Sequence, residues 1–435
     1  FPTMFTMNSF VWILSLTFLT IALALDNNLA RTPPMGWLSW ARFTCETDCE
    51  LYPDDCISER LYRRQADLLV SQGYADLGYQ YVNIDDCWSE KERDPLTHRL
   101  VADRKRFPSG IKKLADYVHS KGLKLGIYTD MGTKTCAGYP GLLIENSTRN
   151  YFALDSETYA EWEIDSLKVD GCNANSDEFD SLYPRLGVAL NLTGRSILYS
   201  CSWPAYQVEK NQTPDYAKIA QYCNLWRNFD DIEDSWRSVS SVIDFYANNQ
   251  KLFAKYQGPG AWFDPDMIVI GNDGLSYEQS KAQMAIWAML SAPLYMSNDL
   301  AKVRTEYKRI LQNKHVIAVN QDRFGFMAKR VIRSGSKEVW VKPVEPVLNG
   351  HHSFAVVYFY RAELGIPKFF NYTLEEILLP IKTARAQFYN VFDLFENASL
   401  IAKLEISERL VLRVNTSGSV AMVKLMPTSA ERNVA

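Results

Sequence analysis

A chain of 435 residues is too long for one ordinary core, so two domains are expected. Its 47 Lys and Arg against 51 Asp and Glu give a net charge of −4, and no strongly basic segment stands out, which excludes a nucleic-acid footprint. The 11 Trp and 24 Tyr suit the apolar faces of sugars, but ordinary packing uses such rings too, so the count alone decides nothing.

Residues 10–25 form an apolar run that ends in Ala22-Leu23-Ala24, the small-x-small pattern of a cleavage site. A signal peptide over residues 1–24, cut after Ala24, is expected. The run is short for a membrane anchor, lacks a basic leader, and has Met4 and Met7 as candidate starts. No later stretch is apolar enough to span a membrane. The cysteines at 45, 49, 56, 87, 136, 172, 201 and 223 number eight. An even set behind a secretory signal reads as disulfides, although eight cysteines permit about 105 pairings. Zinc is disfavoured, because no histidine lies near Cys45, Cys49 and Cys56. Sequons stand at Asn146, Asn191, Asn211, Asn371, Asn397 and Asn415, as secretory glycosylation requires.

Thr32-Pro-Pro-Met35-Gly-Trp37 leads into a first short strand. A helix follows over 58–71, with Leu61, Ala66, Leu68 and Leu69 as its apolar residues. The alternation continues with a strand over Tyr79–Asp86, a helix over Ile111–Ser120 and a strand over Leu123–Thr129. Next come a helix over Ser156–Asp165 and strands over Leu167–Asp170 and Arg195–Cys201. Trp226–Asp231 closes another unit, a helix covers 234–250, and Ser276-x-x-Gln279 reads as a capping box that opens a helix through Met289. The strand runs are apolar throughout rather than alternating, as buried parallel strands are. Several end in polar groups, at Asp85-Asp86, Tyr128, Lys168 with Asp170, and Cys201-Ser202. Reactive residues at strand ends are the mark of a (β/α)₈ TIM barrel.

After about residue 320 the pattern changes to short β runs that begin at Glu338, Ser353, Ala386, Arg409 and Ser419. The expected architecture is α/β: a catalytic barrel over 25–320, then a C-terminal antiparallel β-sandwich domain over 321–435 with a structural role.

The motifs Met35-Gly-Trp-Leu-Ser-Trp40, Asn83-Ile-Asp-Asp-Cys-Trp88, Arg106-Phe-Pro, Lys124-Leu-Gly-Ile-Tyr128, Leu167-Lys-Val-Asp170-Gly-Cys, Ser200-Cys-Ser-Trp-Pro204, Trp226-Arg-Asn-Phe and Asp264-Pro-Asp266-Met267 closely resemble the lysosomal α-galactosidase and α-N-acetylgalactosaminidase family, glycoside hydrolase family 27. The resemblance is strong over residues 29–320 and weak beyond. It implies a cofactor-free, metal-free hydrolase that removes terminal α-linked sugars with retention. Asp170 would be the nucleophile and Asp231 the acid/base, their carboxyl groups about 5–5.5 Å apart. That division of labour needs surroundings that raise the pKa of Asp231 while Asp170 stays ionised. Asp230, next to Asp231, competes for the acid role.

The resemblance also implies a binding pocket. Asp85 and Asp86 would hold sugar hydroxyls, and Lys168, on the same strand face as Asp170, would donate to another. Arg227 and Asp266 would bracket the 2-substituent, with Trp40, Tyr128, Cys136, Tyr206 and Met267 lining the rest. Ser202 and Ala205 stand where α-galactosidases carry Glu and Leu, and this small pair leaves room for an N-acetyl group. The activity implied is release of terminal α-GalNAc from glycoconjugates, with slower action on α-Gal. An α-galactosidase and a non-catalytic sugar-binding descendant are the alternatives. Implied pairings are Cys45–Cys87, Cys49–Cys56, Cys136–Cys172 and Cys201–Cys223. A lysosomal location, with secretion as runner-up, and a homodimer follow from the same resemblance. Ala41 and Phe263 depart from the family's Glu and Asn, next to pocket positions, and are expected to alter support for the site.

Overall fold

The computed structural model describes residues 27–429, so the expected signal peptide over 1–24 lies outside the described residues. Eight strands form the core sheet: β1 (Met35–Leu38), β2 (Tyr81–Asn83), β3 (Lys124–Asp130), β4 (Ser166–Asp170), β5 (Leu198–Cys201), β6 (Leu225–Arg227), β7 (Trp262–Asp264) and β8 (Leu294–Met296). Their spatial order is β7-β6-β5-β4-β3-β2-β1-β8, and all the pairings are parallel. A parallel bridge between Ile268 and Met296 joins the segment after β7 to β8 and closes the curl. Helices such as Glu59–Ser71, Ile111–Ser120, Trp236–Phe253 and Tyr277–Leu290 cross between strands and cover the sheet. Both faces of the strands are therefore largely buried, which is why most of their residues are apolar. Leu125, Ile127, Leu167, Val169 and Leu198 are at most 1% exposed.

The helix expected over Ser156–Asp165 lies instead over Phe152–Glu161. The side chain of Asn150 accepts the Phe152 N–H, and Asp155 in the first turn is held by both terminal nitrogens of Arg93 at 2.7 Å. These anchors set the start, and Glu163 at φ 58° ends the run. Ser276 and Gln279 do form a reciprocal capping box.

The C-terminal region holds β9 (Lys329–Ser334), β10 (Lys337–Leu348), β11 (His351–Tyr360), β12 (Lys368–Thr373), β13 (Phe388–Asp393), β14 (Ser399–Glu405), β15 (Arg409–Val414) and β16 (Ser419–Thr428). Six of them make an antiparallel sheet in the order β14-β13-β16-β11-β10-β9, while β12 and β15 pair as a second sheet. Phe354, Val356 and Tyr358 face the second sheet and pack with Phe370, Leu410 and Val414. Their neighbours Ala355, Val357 and Phe359 face the other way and join the core that continues from the parallel sheet and its helices. Strand alternation thus buries β11 on both faces and explains the unbroken run Phe354–Tyr360.

Lys342 on β10 points to the helices as well. Its ammonium donates to Ala288 O at 3.1 Å, Ser291 Oγ at 2.5 Å and Val319 O at 2.7 Å. Among the described residues, no helix is long and apolar enough to cross a membrane.

Candidate active site

The polar residues singled out in the sequence gather at the C-terminal ends of the parallel strands, where this architecture carries its reactive groups. On β4, Leu167 and Val169 are buried, and Lys168 and Asp170 share the opposite face. Register sets Tyr128 beside Lys168 and Asp130 beside Asp170. The Tyr128 hydroxyl donates to Asp170 Oδ2 at 3.1 Å and the Tyr206 hydroxyl to Oδ1 at 2.8 Å, so each oxygen of this carboxylate has a phenolic donor. Burial, followed by the charges of Asp170 and Asp130, pushes the Tyr206 phenol far up, so it stays a donor. Gly171 makes the approach possible: a Cβ there would sit 2.8 Å from the Tyr206 ring and 2.7 Å from that of Phe179.

Lys168 Nζ is 2.8 Å from Asp85 Oδ2. Burial works against the ammonium charge, but the carboxylates of Asp85 and Asp170 outweigh it and raise the Lys168 pKa. Burial likewise raises the pKa of Asp85 and Asp86, with Lys168 offsetting part of the effect on Asp85. Asp86 accepts from the backbone N–H groups of Cys87 at 2.6 Å and Ala137 at 3.0 Å, and from the Thr135 hydroxyl at 2.9 Å.

Arg227 ends β6 and spans two acids. One terminal nitrogen meets Asp231 Oδ1 at 2.9 Å and the other meets Asp266 Oδ2 at 2.9 Å. Arg227 also donates to the carbonyls of Phe229 and Asp230, which fixes the irregular segment leading to Asp231. Asp266 adopts φ 78°, and its carboxylate accepts the backbone N–H groups of Met267 and Ile232. Met267 is buried, and Trp40 is half-buried at the start of the short helix after β1. Burial raises the neighbouring Asp264 to about 6.

A cavity of about 190 Å³ is lined by Asp170, Ser202, Ala205, Tyr206, Glu209, Arg227, Phe229, Asp230 and Asp231. Both expected carboxylates and both expected specificity residues therefore share one space. Lys168 and Asp266 line a smaller void with Arg227, whereas Trp40, Asp85, Asp86, Tyr128, Cys136 and Met267 border neither. Ser202 precedes the helix Trp203–Glu209 without capping it, and its hydroxyl makes no hydrogen bond among the described residues. Ala205 lies in the first turn of that helix.

One expectation is overturned. The surroundings do not raise the pKa of Asp231; the Arg227 guanidinium, more than Lys168, holds it below the usual carboxylate range. Burial opposes this, but the Arg227 charge outweighs it. Phe263 lies between strand neighbours of the site, next to Asp264, which lines the smaller void. The Phe263 ring packs on Trp226, Phe253 and Tyr216 with centroids 5.0, 4.4 and 5.0 Å away and lines neither cavity. Ala41 is half-buried, and its N–H donates to Ser297 Oγ at 2.9 Å.

Asp130 is the residue that sequence reasoning missed. It is fully buried, accepts from Gly132 N at 2.7 Å and Cys172 N at 3.0 Å, and so ties the ends of β3 and β4 together. Burial, then the Asp170 charge, pushes it well above the usual range. The signal was present: Tyr-Thr-Asp130-Met-Gly ends a strand in the same way as Lys-Val-Asp170-Gly.

Four disulfides join Cys45 to Cys87, Cys49 to Cys56, Cys136 to Cys172 and Cys201 to Cys223. The Cys136–Cys172 bridge clamps the loops after β3 and β4, and the Tyr206 hydroxyl lies 3.2 Å from Cys172 Sγ. With these thiols oxidised, the nearby Asp130, Cys136 and Cys172 do not form a metal site. All six sequon asparagines are exposed.

The model of the family described as Alpha galactosidase A matches residues 32–322. The α-N-acetylgalactosaminidase of Gallus gallus is 46% identical over 397 residues, which cover 91% of this chain and 94% of that protein. The α-galactosidase A of Homo sapiens is also 46% identical, over 402 residues that cover 92% of this chain and 90% of that protein. Among solved structures, α-galactosidase I of Mortierella vinacea superposes with a TM-score of 0.80 at 29% identity, covering 94% of this chain and 100% of that one.

Proposed function

The chain belongs to glycoside hydrolase family 27, the retaining enzymes that act on α-linked galactose and N-acetylgalactosamine, and from that premise we propose that it releases terminal α-GalNAc. Overall identity does not choose the sugar, because the two relatives stand at the same 46%. The observation that carries the choice is local. In the cavity that holds Asp170 and Asp231, position 202 is a serine with an uncommitted hydroxyl and position 205 is an alanine. The serine supplies a hydrogen bond for an acetamide, and the alanine leaves space for its methyl group.

In the proposed mechanism Asp170 attacks the anomeric carbon while Asp231 protonates the departing oxygen. The hydroxyls of Tyr128 and Tyr206 fix the Asp170 carboxylate for attack. Water, deprotonated by Asp231, then displaces Asp170 from the glycosyl-enzyme. Asp231 is preferred over Asp230 because Arg227 orients its carboxylate, whereas Asp230 offers Arg227 only its carbonyl. Lys168 and Asp85, joined at 2.8 Å, and Asp86 beside them are assigned to ring hydroxyls.

A proton NMR time course with an α-GalNAc glycoside tests this reading. The α-anomer of GalNAc should appear first, and Asp170→Asn should abolish turnover. First appearance of the β-anomer, or full activity in D170N, would overturn the assignment. We place the enzyme in the lysosomal lumen, with secretion as the alternative and a homodimer as the working form. Four disulfides and six exposed sequons support passage through the secretory route. The described region is further divided into a catalytic part up to residue 320 and a structural part after it.

A further inference from the structure

The cavity lining includes three residues that the mechanism does not use: Glu209, Phe229 and Asp230. Phe229 lies two residues before Asp231, on the segment that must meet the leaving group. Its ring is half-buried and stacks on Phe245, with centroids 4.1 Å apart and planes at 15°. Arg227 donates to its carbonyl at 3.1 Å, so ring and backbone are both braced. One face of this ring stacks on Phe245, and the residue itself lines the cavity. Glu209 and Asp230 are exposed beside it. A rigid aromatic face flanked by carboxylates is matched to a neutral pyranose: C–H groups pack on the ring, and hydroxyls donate to the acids.

We propose that Phe229, flanked by Glu209 and Asp230, forms the subsite for the leaving group and selects a neutral pyranosyl residue there. This rests on the proposed glycosidase reaction and adds the identity of its second binding site. A leaving group without a ring does not contact Phe229, whereas a second sugar does. Acids at the rim also disfavour a leaving sugar that carries a carboxylate or sulfate.

The test compares kcat/KM for a disaccharide, α-GalNAc linked 1,3 to galactose, with that for α-GalNAc fluoride. Phe229→Leu keeps an apolar side chain against Phe245 and removes the aromatic face; Phe229→Ala removes the contact altogether. In both variants the disaccharide-to-fluoride ratio should fall about tenfold, the worth of one apolar contact in a specificity pocket. A ratio within about twofold of wild type in F229L and F229A would overturn the subsite while leaving the reaction intact. A wild-type chain inactive on both the α-GalNAc and α-Gal fluorides would instead overturn the reaction, and the subsite with it.

Discussion

Arg227 holds Asp231 and Asp266 at 2.9 Å each, so the carboxyl assigned as proton donor is paired with a cation before substrate arrives. Asp231 therefore starts below the usual carboxylate range rather than above it. A donor of that kind is protonated only in acid, and its competent fraction falls as pH rises through its pKa. The kcat/KM profile should accordingly have an acidic optimum and a falling alkaline limb. Arg227→Gln removes the cation, lets the Asp231 pKa rise, and should move that limb to higher pH. An alkaline limb unmoved in R227Q, measured on an alkyl α-GalNAc glycoside whose departing oxygen needs a proton, would remove Arg227 from this role.

Asp130 should behave as a positioning residue. It accepts the Cys172 N–H and stands in register with Asp170, without lining the cavity. Asp130→Asn keeps the shape but offers one acceptor oxygen to two backbone N–H groups. The expected result is a fall in kcat of roughly tenfold with little change in KM, because leaving one buried N–H without its acceptor costs about 1–3 kcal/mol. A KM increase at constant kcat would indicate a substrate contact instead.

Lys342 links β10 to the helices that cover the parallel strands, and burial lowers its pKa from 10.5 to about 7. The folded state thus sheds this proton before the unfolded state does. Between about pH 7 and 10.5 the unfolded chain binds more protons, so this group makes stability rise with pH across that window. Urea midpoints at pH 7 and pH 9 should show a gain on the order of 2 kcal/mol from this group, absent in Lys342→Met. An equal pH dependence in K342M would contradict the argument.

The strand ends were the most legible part of the chain. Buried parallel strands are short and apolar on both faces, so the polar residues that end them stand out, as at Asp85, Asp170 and Arg227. The same rule applied to Asp130 would have found it. Helix boundaries were less legible because distant partners set them: Arg93, some 60 positions earlier in the chain, pairs with Asp155 and anchors the helix that begins at Phe152. Pro184 inside the helix Phe179–Leu192 hid that element, while Pro204 at the start of Trp203–Glu209 was a usable signal for it. The direction of Phe263 depended on strand alternation, which a three-residue strand barely displays. The lowered pKa of Asp231 was not legible, because it comes from the ion pair that an irregular segment makes with Arg227.

The account stands or falls on which sugar the pocket prefers. The direct measurement is kcat/KM on matched 4-nitrophenyl α-GalNAc and α-Gal substrates, for the wild-type chain and for the double variant Ser202→Glu, Ala205→Leu. Wild type should favour α-GalNAc by roughly tenfold or more, and the double variant should reverse the order, since a filled acetamide site is worth about 1–3 kcal/mol. Faster α-Gal turnover by the wild-type chain would contradict the assignment.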